Sequence, residues 1–524
     1  MNINPAIFRQ APFKHQLIGM EALLRNEYFM LGDEMGAGKT FQTIGAAQLL
    51  YQAEQITRVV VVAPASVVDV WFNQELGELA KHLFVPSTIQ HFHGRWRGWN
   101  YGEGTERLAW IISNYEFIRA EHRLEELLDF CTMKTMLVLD ESSAIKNYRA
   151  AQTRACANLR RQCGRVVLLN GTPIANSPMD MYSQGLVMHP DILCCRGITH
   201  FRARYAEMGG YEVKTPWGSR ATQIVGWKNL DDLQRRFAPF VLRRLKKDCL
   251  DLPPVLPPVI QTATLTEPTW KLYKEMRDSM VAWLNDLTVS VAPQTITKVM
   301  RLSQITSGII GGVEAEIPEG LNDDRPAWLP DVVDPPVVDS SPLQEVGREK
   351  LDVHLEWLDQ MLEEDPDLKL LVWCRFIPEL RRLLKEWKIK FPNAKIGAIA
   401  GQSMLGQPKK DERAEALRLL DPRTAPTGPV FVGGTYGTGS LGLNLTACHT
   451  MVNLSFDYSY WKSVQSAARV DRPGQTSPIS MFDVVAEGPR GQRTIDHTIV
   501  KALRDKSDIA IWTTSAWVKA LMEE

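Results

Sequence analysis

The stretch GDEMGAGKT at residues 32–40 constrains the fold more than any other part of the chain. An apolar run at 28–31 precedes it, and apolar residues at helical spacing follow it from 40 to 51. A strand, a glycine-rich loop and a helix in this order place backbone N–H groups around an anion at the helix N-terminus. The stretch therefore predicts a phosphate-binding loop; the less specific alternative is a glycine-rich turn before a helix.

The residues of this loop suit a nucleoside triphosphate. Small residues at 36–38 let the backbone wrap phosphate oxygens, the Lys39 ammonium would neutralise the β- and γ-phosphates, and the Thr40 hydroxyl would ligate Mg²⁺. The strict pattern G-x-x-x-x-G-K-[ST] requires glycine at position 33, where this chain has Asp33. The nucleotide-binding candidates of the loop are Gly36, Ala37, Gly38, Lys39 and Thr40.

Two acids, Asp140 and Glu141, close the apolar run MLVLD at 136–140. A carboxylate at the end of a buried strand costs free energy unless it holds a cation or accepts hydrogen bonds. Asp140 fits a partner of Mg²⁺, and Glu141 fits the group that orients or deprotonates an attacking water. The alternative is a solvated strand end followed by a helix cap at Ser142 or Ser143.

Far downstream, Arg469 and Arg472 lie in the stretch QSAARVDRPGQ at 465–475. On a helix, residues three apart share a face. An arginine from a second lobe stabilises charge that develops on a γ-phosphoryl group, whereas the less specific alternative is surface salt bridging. The pair is too distant in sequence to belong to the same mononucleotide-binding unit, so we expect two domains that close on the nucleotide.

Short β-branched runs alternate with helical patterns in both halves of the chain. In the first half the strand-like runs are 28–31, 58–64, 136–140 and 165–173; in the second they are 369–376, 395–401, 429–435, 449–455 and 479–486. Such alternation is typical of parallel sheets covered by helices on both faces. The predicted fold class is α/β, with two doubly wound parallel-sheet lobes and helical insertions.

The expected domain boundaries follow from changes in composition. The segment 314–345 is rich in Pro, Asp and Glu and predicts an exposed, mobile loop. Prolines at 253–254 and 257–258 suit a stiff linker between lobes. We therefore expect four segments: lobe one at 1–180, a helical insertion and linker at 181–262, a helical insertion of lobe two at 263–350, and lobe two at 351–524.

Composition excludes several classes of protein. The formal net charge is −1, so any binding to nucleic acid must come from local groups rather than from a polycationic surface. Eight scattered cysteines without C-x-x-C spacing indicate reduced thiols and an intracellular protein. No apolar run is long enough to span a membrane, and the N-terminus lacks the apolar core of a signal peptide.

Taken in order, these stretches resemble the Swi/Snf-like family of superfamily-two helicase-like ATPases, and the resemblance covers nearly the whole chain. Besides the loop, the acids and the arginines, it rests on these stretches: FKHQLIGMEAL (13–23), VVVVAPASVVDVWFNQEL (59–76), ISNYE (112–116), LLNGTPIANSPMDMYS (168–183), FVLRRLKKDCLDLPP (240–254), LLVWCRF (370–376) and GTGSLGLNLTACHTMVNLSFDYSYWKSVQ (437–465).

The resemblance implies two RecA-like lobes, ATP and Mg²⁺ as cofactors, and movement along double-stranded DNA without routine strand separation. It makes Gln16 the expected contact to the adenine base and Gly439 a further nucleotide contact. Contacts from uncharged groups to phosphates suit movement along DNA that does not depend on its base sequence. The expected DNA contacts are Ser66, Ser113, Asn114, Gly171 and Thr172 in lobe one, and Gly401, Gln402, Thr435, Ser440 and Asn444 in lobe two.

The chain departs from the family pattern at three positions, which concern how nucleotide binding is coupled to the other lobe. The family usually carries His where this chain has Ser143, an acid at Ala468 and a His at Asp471. With these changes, the chain resembles a compact bacterial or viral member of the family. We accordingly expect a monomer in the cytoplasm of a bacterial or virus-infected cell, acting on DNA and on DNA-bound proteins.

Two other functions stay open at this stage. The first is a helicase that separates or anneals strands in repair, recombination or replication. The second is a non-enzymatic DNA clamp with an inactive nucleotide site, although Lys39, Glu141 and Arg472 are all present.

Overall fold

The computed structural model describes residues 3–65, 67–73, 77–94, 98, 107–171, 178–215, 218–285, 292–311, 314–315, 337–338, 342–439, 445–458 and 460–504. The chain divides into two compact units, Met1–Asp251 and Leu252–Glu524. The four-segment division is finer than this and stays a prediction. Among the described helices, none is both long and apolar enough to cross a bilayer.

The first unit is built on a parallel sheet. The strands of this unit are β1 (Tyr28–Leu31), β2 (Arg58–Ala63), β3 (Ser87–His91), β4 (Leu108–Asn114), β5 (Thr135–Asp140), β6 (Arg165–Leu169), β7 (Ala206–Thr215), β8 (Gly218–Trp227) and β9 (Val241–Leu242). Seven of them form one sheet in the order β3-β4-β2-β5-β6-β1-β9, and every neighbouring pair is parallel.

Helices precede, connect and follow the strands of this unit. They are α1 (Lys14–Arg25), α2 (Lys39–Gln52), α3 (Val68–Phe72), α4 (Glu78–His82), α5 (Glu121–Phe130), α6 (Ala151–Gln162), α7 (Pro178–Met188), α8 (Ile198–Tyr205), α9 (Leu230–Phe237) and α10 (Lys246–Cys249). The central strand β5 is buried along its whole length. Its continuous apolar sequence is therefore that of a strand covered on both faces.

An antiparallel hairpin interrupts the helices between 181 and 262. Strand β7 pairs with β8 over most of their lengths, with register shifts near Glu207 and Gly209. The sequence pattern predicted helices and a linker for this region, and the hairpin was not predicted.

The second unit contains another parallel sheet. The strands of this unit are β10 (Val259–Thr264), β11 (Ile309–Ile310), β12 (Glu314–Ala315), β13 (Val337–Val338), β14 (Gln344–Glu345), β15 (Lys369–Cys374), β16 (Lys395–Ile399), β17 (Val430–Thr435), β18 (Thr450–Asn453) and β19 (Ser480–Glu487). The main sheet has the order β10-β19-β18-β15-β17-β16, with all pairs parallel.

Eight helices accompany these strands: α11 (Glu267–Asn285), α12 (Ala292–Thr306), α13 (Glu349–Glu364), α14 (Ile377–Lys390), α15 (Lys409–Leu420), α16 (Tyr436–Gly439), α17 (Tyr460–Ala467) and α18 (Ile495–Arg504). Two short antiparallel ladders pair β11 with β14 and β12 with β13. Most of the predicted mobile loop at 314–345 lies outside the described residues.

The two sheets confirm the predicted fold class of two parallel-sheet lobes. Each of the five strands predicted in the second half corresponds to a strand of its main sheet. In parallel sheets of this kind, ligands bind beyond the carboxyl ends of the strands. The candidate residues after β1, β5 and β6, and after β16 and β17, therefore lie where such a fold places its sites.

Candidate functional site

The phosphate-loop candidate connects the end of β1 to the first turn of α2. Gly36 and Gly38 have φ values of 89° and 80°, in the left-handed region that favours glycine. A Cβ at Gly38 would lie only 2.3 Å from the Nε2 atom of Gln16. Because α2 is 14 residues long and begins at Lys39, its N-terminal N–H groups adjoin the loop and favour an anion there.

The Lys39 ammonium lies back over the loop that precedes it. Its Nζ donates a hydrogen bond to the carbonyl oxygen of Asp33 at 2.8 Å and a longer one to that of Glu34 at 3.5 Å. Thr40 is half-buried in the first turn of α2. Lys39 and Thr40 therefore occupy the positions that a phosphate-binding lysine and a magnesium-binding hydroxyl take in such loops.

Gln16 and His15 on α1 fasten that helix to the phosphate loop. Gln16 accepts a hydrogen bond from Phe13 N at 3.0 Å and donates to Ala37 O at 3.5 Å. The Nε2 atom of His15 lies 2.9 Å from the same carbonyl oxygen. Gln16 is thus beside the loop, and its expected contact with the adenine base stays a prediction.

Asp140 ends β5 as a buried and hydrogen-bonded carboxylate. Its Oδ2 accepts from Trp71 Nε1 at 2.8 Å, and its Oδ1 accepts from the Glu141 N–H at 2.9 Å. Burial and the Glu141 carboxylate raise the pKa of Asp140 to about 6, while the Trp71 hydrogen bond and the Lys39 charge act in the opposite direction. Lys39 follows β1 and Asp140 ends β5, and both strands pair with β6, so their carboxyl ends lie at the same edge of the sheet.

Glu141 differs from Asp140 in both backbone and side chain. Its φ and ψ of 48° and 58° are left-handed, a conformation that costs a residue other than glycine roughly 1–3 kcal/mol. Its Oε2 is buried without a hydrogen-bond partner among the described residues. A strained residue with an unsatisfied carboxylate oxygen is typical of a functional site rather than of a helix cap.

The residues present fit a magnesium ion bound together with a nucleotide. Thr40 and Asp140 offer the hydroxyl and carboxylate oxygens that Mg²⁺ prefers. The described residues contain no group of three or more His, Cys, Asp and Glu side chains able to hold a metal ion by themselves. Such a cage is unnecessary where one or two protein oxygens, substrate phosphates and water complete the shell.

Trp71 and Tyr115 hold Asp140 in place, a role that the sequence did not predict. The Trp71 indole is fully buried beneath Asp140, and the Tyr115 hydroxyl donates to the Asp140 carbonyl oxygen at 2.9 Å. Both residues lie in stretches that carried the family resemblance. An aromatic donor following each of two buried strands was the available signal.

A buried amide links the ends of β5 and β6. The Oε1 atom of Gln184 accepts from Ser142 Oγ at 2.7 Å and from Asn170 Nδ2 at 2.9 Å. Ser143, which stands where the family usually has His, makes a long hydrogen bond to Glu141 O at 3.5 Å. Gln184 therefore connects the acid motif to the residue that precedes Gly171.

The DNA-contact candidates of the first unit have different environments. Ser113 is fully buried and donates to Phe92 O at 3.0 Å, and Asn114 accepts from Phe117 N at 2.7 Å. Gly171 lies against the phosphate loop, since a Cβ there would be 2.7 Å from Met35 Cγ. Ser66 and Thr172 lie outside the described residues.

In the second unit, Gly401 and Gln402 are exposed on the loop that follows β16. Thr435 is buried at the end of β17, and Gly439 is the last residue of α16. The remaining two candidates, Ser440 and Asn444, lie outside the described residues. For all of these positions, contact with DNA or nucleotide stays a prediction.

The arginine pair does not lie on a helix, which corrects the expected shared helical face. Helix α17 ends at Ala467, and Arg469 and Arg472 follow in turns. Pro473 disfavours helical conformation at Arg472, and Gly474 has a φ of 105°. Arg469 is buried, whereas Arg472 is half-buried and donates from Nε to Ala468 O at 3.1 Å.

Comparison with known proteins identifies a family that the chain matches. The sequence model described as the SNF2-related domain matches residues 15–308. The chain is 22% identical to the CHD3-type chromatin-remodeling factor CHR7 of Arabidopsis thaliana over 90% of its own length and 35% of the relative's. It is 23% identical to the DNA repair and recombination protein RAD54B of Gallus gallus, over 92% of its length and 51% of the relative's.

The chain thus spans about a third to a half of the length of these two curated relatives. Among solved structures, the Sulfolobus solfataricus SWI2/SNF2 ATPase core in complex with dsDNA aligns with 100% of this chain and 97% of its own, at 19% identity and a TM-score of 0.41.

Proposed function

The chain belongs to the family of the SNF2-related domain, and we propose on that premise that it is a DNA-stimulated ATPase that moves along double-stranded DNA without routine strand separation. One observation carries the ATPase part of the proposal. The loop that follows β1 leads into Lys39 at the start of α2, and the Asp140–Glu141 pair follows the end of β5 in the same parallel sheet, where one Glu141 oxygen is buried without a hydrogen-bond partner among the described residues.

Each of these groups has a separate task in the proposed reaction. Lys39 and the N–H groups at the start of α2 bind the phosphates, and the Glu141 carboxylate orients the attacking water and receives its proton. Asp140 and Thr40 would hold Mg²⁺, which supplies charge neutralisation to the phosphates when it is bound. Arg469 and Arg472 of the second unit stabilise the charge that develops on the γ-phosphoryl group.

The DNA part of the proposal is supported by the names of the relatives and by the type of exposed residue. A chromatin-remodeling factor and a DNA repair and recombination protein are among the proteins that this chain resembles. The exposed candidates Gly401 and Gln402 are neutral, and the net charge is −1. Neutral contacts to phosphates position a protein on DNA without reading bases.

We extend the proposal to the state of the protein in the cell. All eight cysteines are free thiols, five of them buried, which suits a reducing cytoplasm, here of a bacterial or virus-infected cell. We propose that the protein acts as a monomer and displaces or rearranges DNA-bound proteins. Light scattering with and without duplex DNA measures the molar mass in solution and so tests whether the protein is a monomer.

The function is tested by measuring phosphate release from ATP with duplex DNA, single-stranded DNA, forked DNA and RNA in parallel. We expect the largest stimulation with duplex DNA. Lys39→Ala is the matched control and should abolish release on every substrate. No release by the natural protein with saturating duplex DNA would instead support a non-enzymatic clamp.

A strand-displacement assay on the same forked DNA separates translocation from helicase activity. The proposal expects ATP hydrolysis without efficient unwinding. Robust unwinding, with more stimulation by single-stranded than by duplex DNA, would favour the helicase alternative.

A further inference from the structure

A segment near the end of the first unit runs alongside the phosphate loop. Strand β9 pairs with β1, and the contact continues beyond both strands. Gly32 N donates to Leu242 O at 2.7 Å, and Glu34 N donates to Arg244 O at 2.9 Å. The Glu34 carboxylate then accepts from Lys246 N at 2.8 Å. The first part of the loop is therefore held along its length by residues 242–246.

The Arg244 guanidinium forms hydrogen bonds with the loop and both flanking helices. It forms a two-pronged pair with Asp33, from Nε to Oδ1 at 2.9 Å and from Nη2 to Oδ2 at 2.5 Å. It also donates to His15 O and, at 3.2 Å, to Gln42 Oε1. One side chain thus joins the loop to both α1 and α2.

This contact explains the aspartate at the position where the strict loop pattern has glycine. The Asp33 side chain is fully buried, and a buried carboxylate requires a partner that neutralises it. Arg244 provides that charge with a planar fork that a lysine cannot reproduce. Gln42 supplies a further hydrogen bond to Asp33 at 3.3 Å.

The same residues determine where Lys39 lies. Its ammonium donates to the carbonyl oxygens of Asp33 and Glu34. The side chain of Asp33 is held by Arg244, and that of Glu34 by the backbone N–H of Lys246. The two carbonyl groups that receive the lysine are therefore fixed by residues 242–246.

We propose that Arg244 is a positioning residue for nucleotide binding, because through Asp33 it holds the phosphate loop and Lys39 in place. Arg244 also connects that loop to the segment that leads to Asp251, the last residue of the first unit. The inference rests on the proposed ATPase function. The described hydrogen bonds of Arg244 go to protein oxygens, so it acts on phosphates through the loop. Movement of the chain after Asp251 would reach the nucleotide site by this route.

Two variants separate positioning from mere stability. In Arg244→Lys the charge of Asp33 stays paired, but one ammonium cannot serve Asp33, His15 O and Gln42 together. In the double variant Asp33→Asn/Arg244→Gln, a neutral amide pair replaces the ion pair, so no charge is left buried alone. Arg243→Gln is the matched control, because Arg243 is adjacent and exposed.

The experiment measures KM and kcat for ATP with saturating duplex DNA, the Kd of a fluorescent ATP analogue without DNA, and the melting temperature. We expect both variants to melt near the natural protein and to raise KM and Kd by about tenfold, the equivalent of roughly one lost hydrogen bond, with kcat changed much less. Arg243→Gln should change none of these.

Unchanged KM and Kd in Arg244→Lys and in the double variant would overturn the positioning role, whatever happens to the melting temperature. A lower melting temperature with unchanged KM would assign Arg244 to stability alone. If the natural protein hydrolyses no ATP on any DNA, the proposed function fails, and the Kd of the analogue still decides the role of Arg244.

Discussion

At the scale of single residues, the two acids at the end of β5 have different environments, which suit the different tasks proposed for them. Asp140 is held by Trp71 and by the backbone, so its position is fixed before any ligand binds. Glu141 has a strained backbone and a buried oxygen without a hydrogen-bond partner among the described residues. The sequence predicted that these residues matter. It could not predict the strain or the Trp71 contact, because both depend on how distant segments pack.

Replacing Glu141 with glutamine should stop hydrolysis while retaining ATP binding. The amide preserves the size of the side chain but cannot accept a proton, so we expect phosphate release to fall by about 100-fold or more. The measurement is single-turnover release, together with the Kd of a fluorescent ATP analogue. Glu116→Gln, at an exposed glutamate, is the control. Undiminished turnover would contradict the assigned role.

A second residue-scale feature concerns stability rather than chemistry. His354 on α13 is fully buried, and neither ring nitrogen has a hydrogen-bond partner among the described residues. Burial, with a smaller contribution from the Lys390 charge, lowers the pKa of His354 to about 3. The folded protein therefore excludes a proton that the unfolded chain binds below its ordinary pKa near 6.5.

His354 should consequently destabilise the second unit as the pH falls. Between pH 6.5 and 3 the unfolded state binds the extra proton, and the free energy of unfolding decreases by up to about 1.4 kcal/mol per pH unit. His354→Leu removes this contribution, so urea unfolding followed by tryptophan fluorescence should show a shallower pH dependence. The exposed His122→Leu should retain the natural slope. Parallel slopes for His354→Leu and the natural protein would refute the prediction.

At the scale of elements, buried acceptors shape the loops that carry candidate contacts. Gln184 joins the ends of β5 and β6. In the second unit, Glu412 on α15 accepts from Met404 N, Leu405 N and Gln407 N at 2.7, 2.6 and 3.0 Å. Burial raises the pKa of Glu412, but these backbone hydrogen bonds outweigh it and hold the pKa below its usual value. One carboxylate therefore fixes the loop that follows Gly401 and Gln402.

Glu412→Gln should loosen that loop. The amide turns a donor toward backbone N–H groups that need an acceptor, at a cost of roughly 1–3 kcal/mol. We expect weaker stimulation of ATP hydrolysis by duplex DNA, with basal hydrolysis nearly unchanged, since the proposed catalytic groups belong to other loops. Glu415→Gln is the control on the same helix, where the side chain is 55% exposed. Equal stimulation in both variants would show that the shape of this loop does not affect DNA binding.

The same scale shows which elements the sequence could predict. Apolar β-branched runs such as those of β2, β5 and β15 were recognised because strands buried on both faces need them. The hairpin β7–β8 and the edge strand β10 were not, since β10 exposes most of its residues and lacks a continuous apolar run. The turn conformation of Arg469 and Arg472 was also missed, although Pro473 signalled it.

At the scale of the whole molecule, two compact units divide the proposed reaction between them. The phosphate loop and the acid pair belong to Met1–Asp251, whereas the arginine pair belongs to Leu252–Glu524. Spacing along the sequence was enough to predict this division, because residues so far apart do not share one mononucleotide-binding unit. Contacts such as Arg244 with Asp33 join residues distant in sequence, so they required the folded structure.

The division predicts that Arg472→Ala reduces turnover far more than ATP binding. In the proposed reaction, Lys39 and the loop bind phosphates within the first unit, while an arginine from the second unit is needed only as charge develops in the transition state. We expect kcat to fall by about 100-fold or more, with the Kd of a fluorescent ATP analogue changed by less than about threefold. Arg490→Ala, at an exposed arginine of the same unit, should leave both values unchanged. Equal losses in kcat and affinity would assign Arg472 to ground-state binding and remove the reason for expecting the two units to cooperate in hydrolysis.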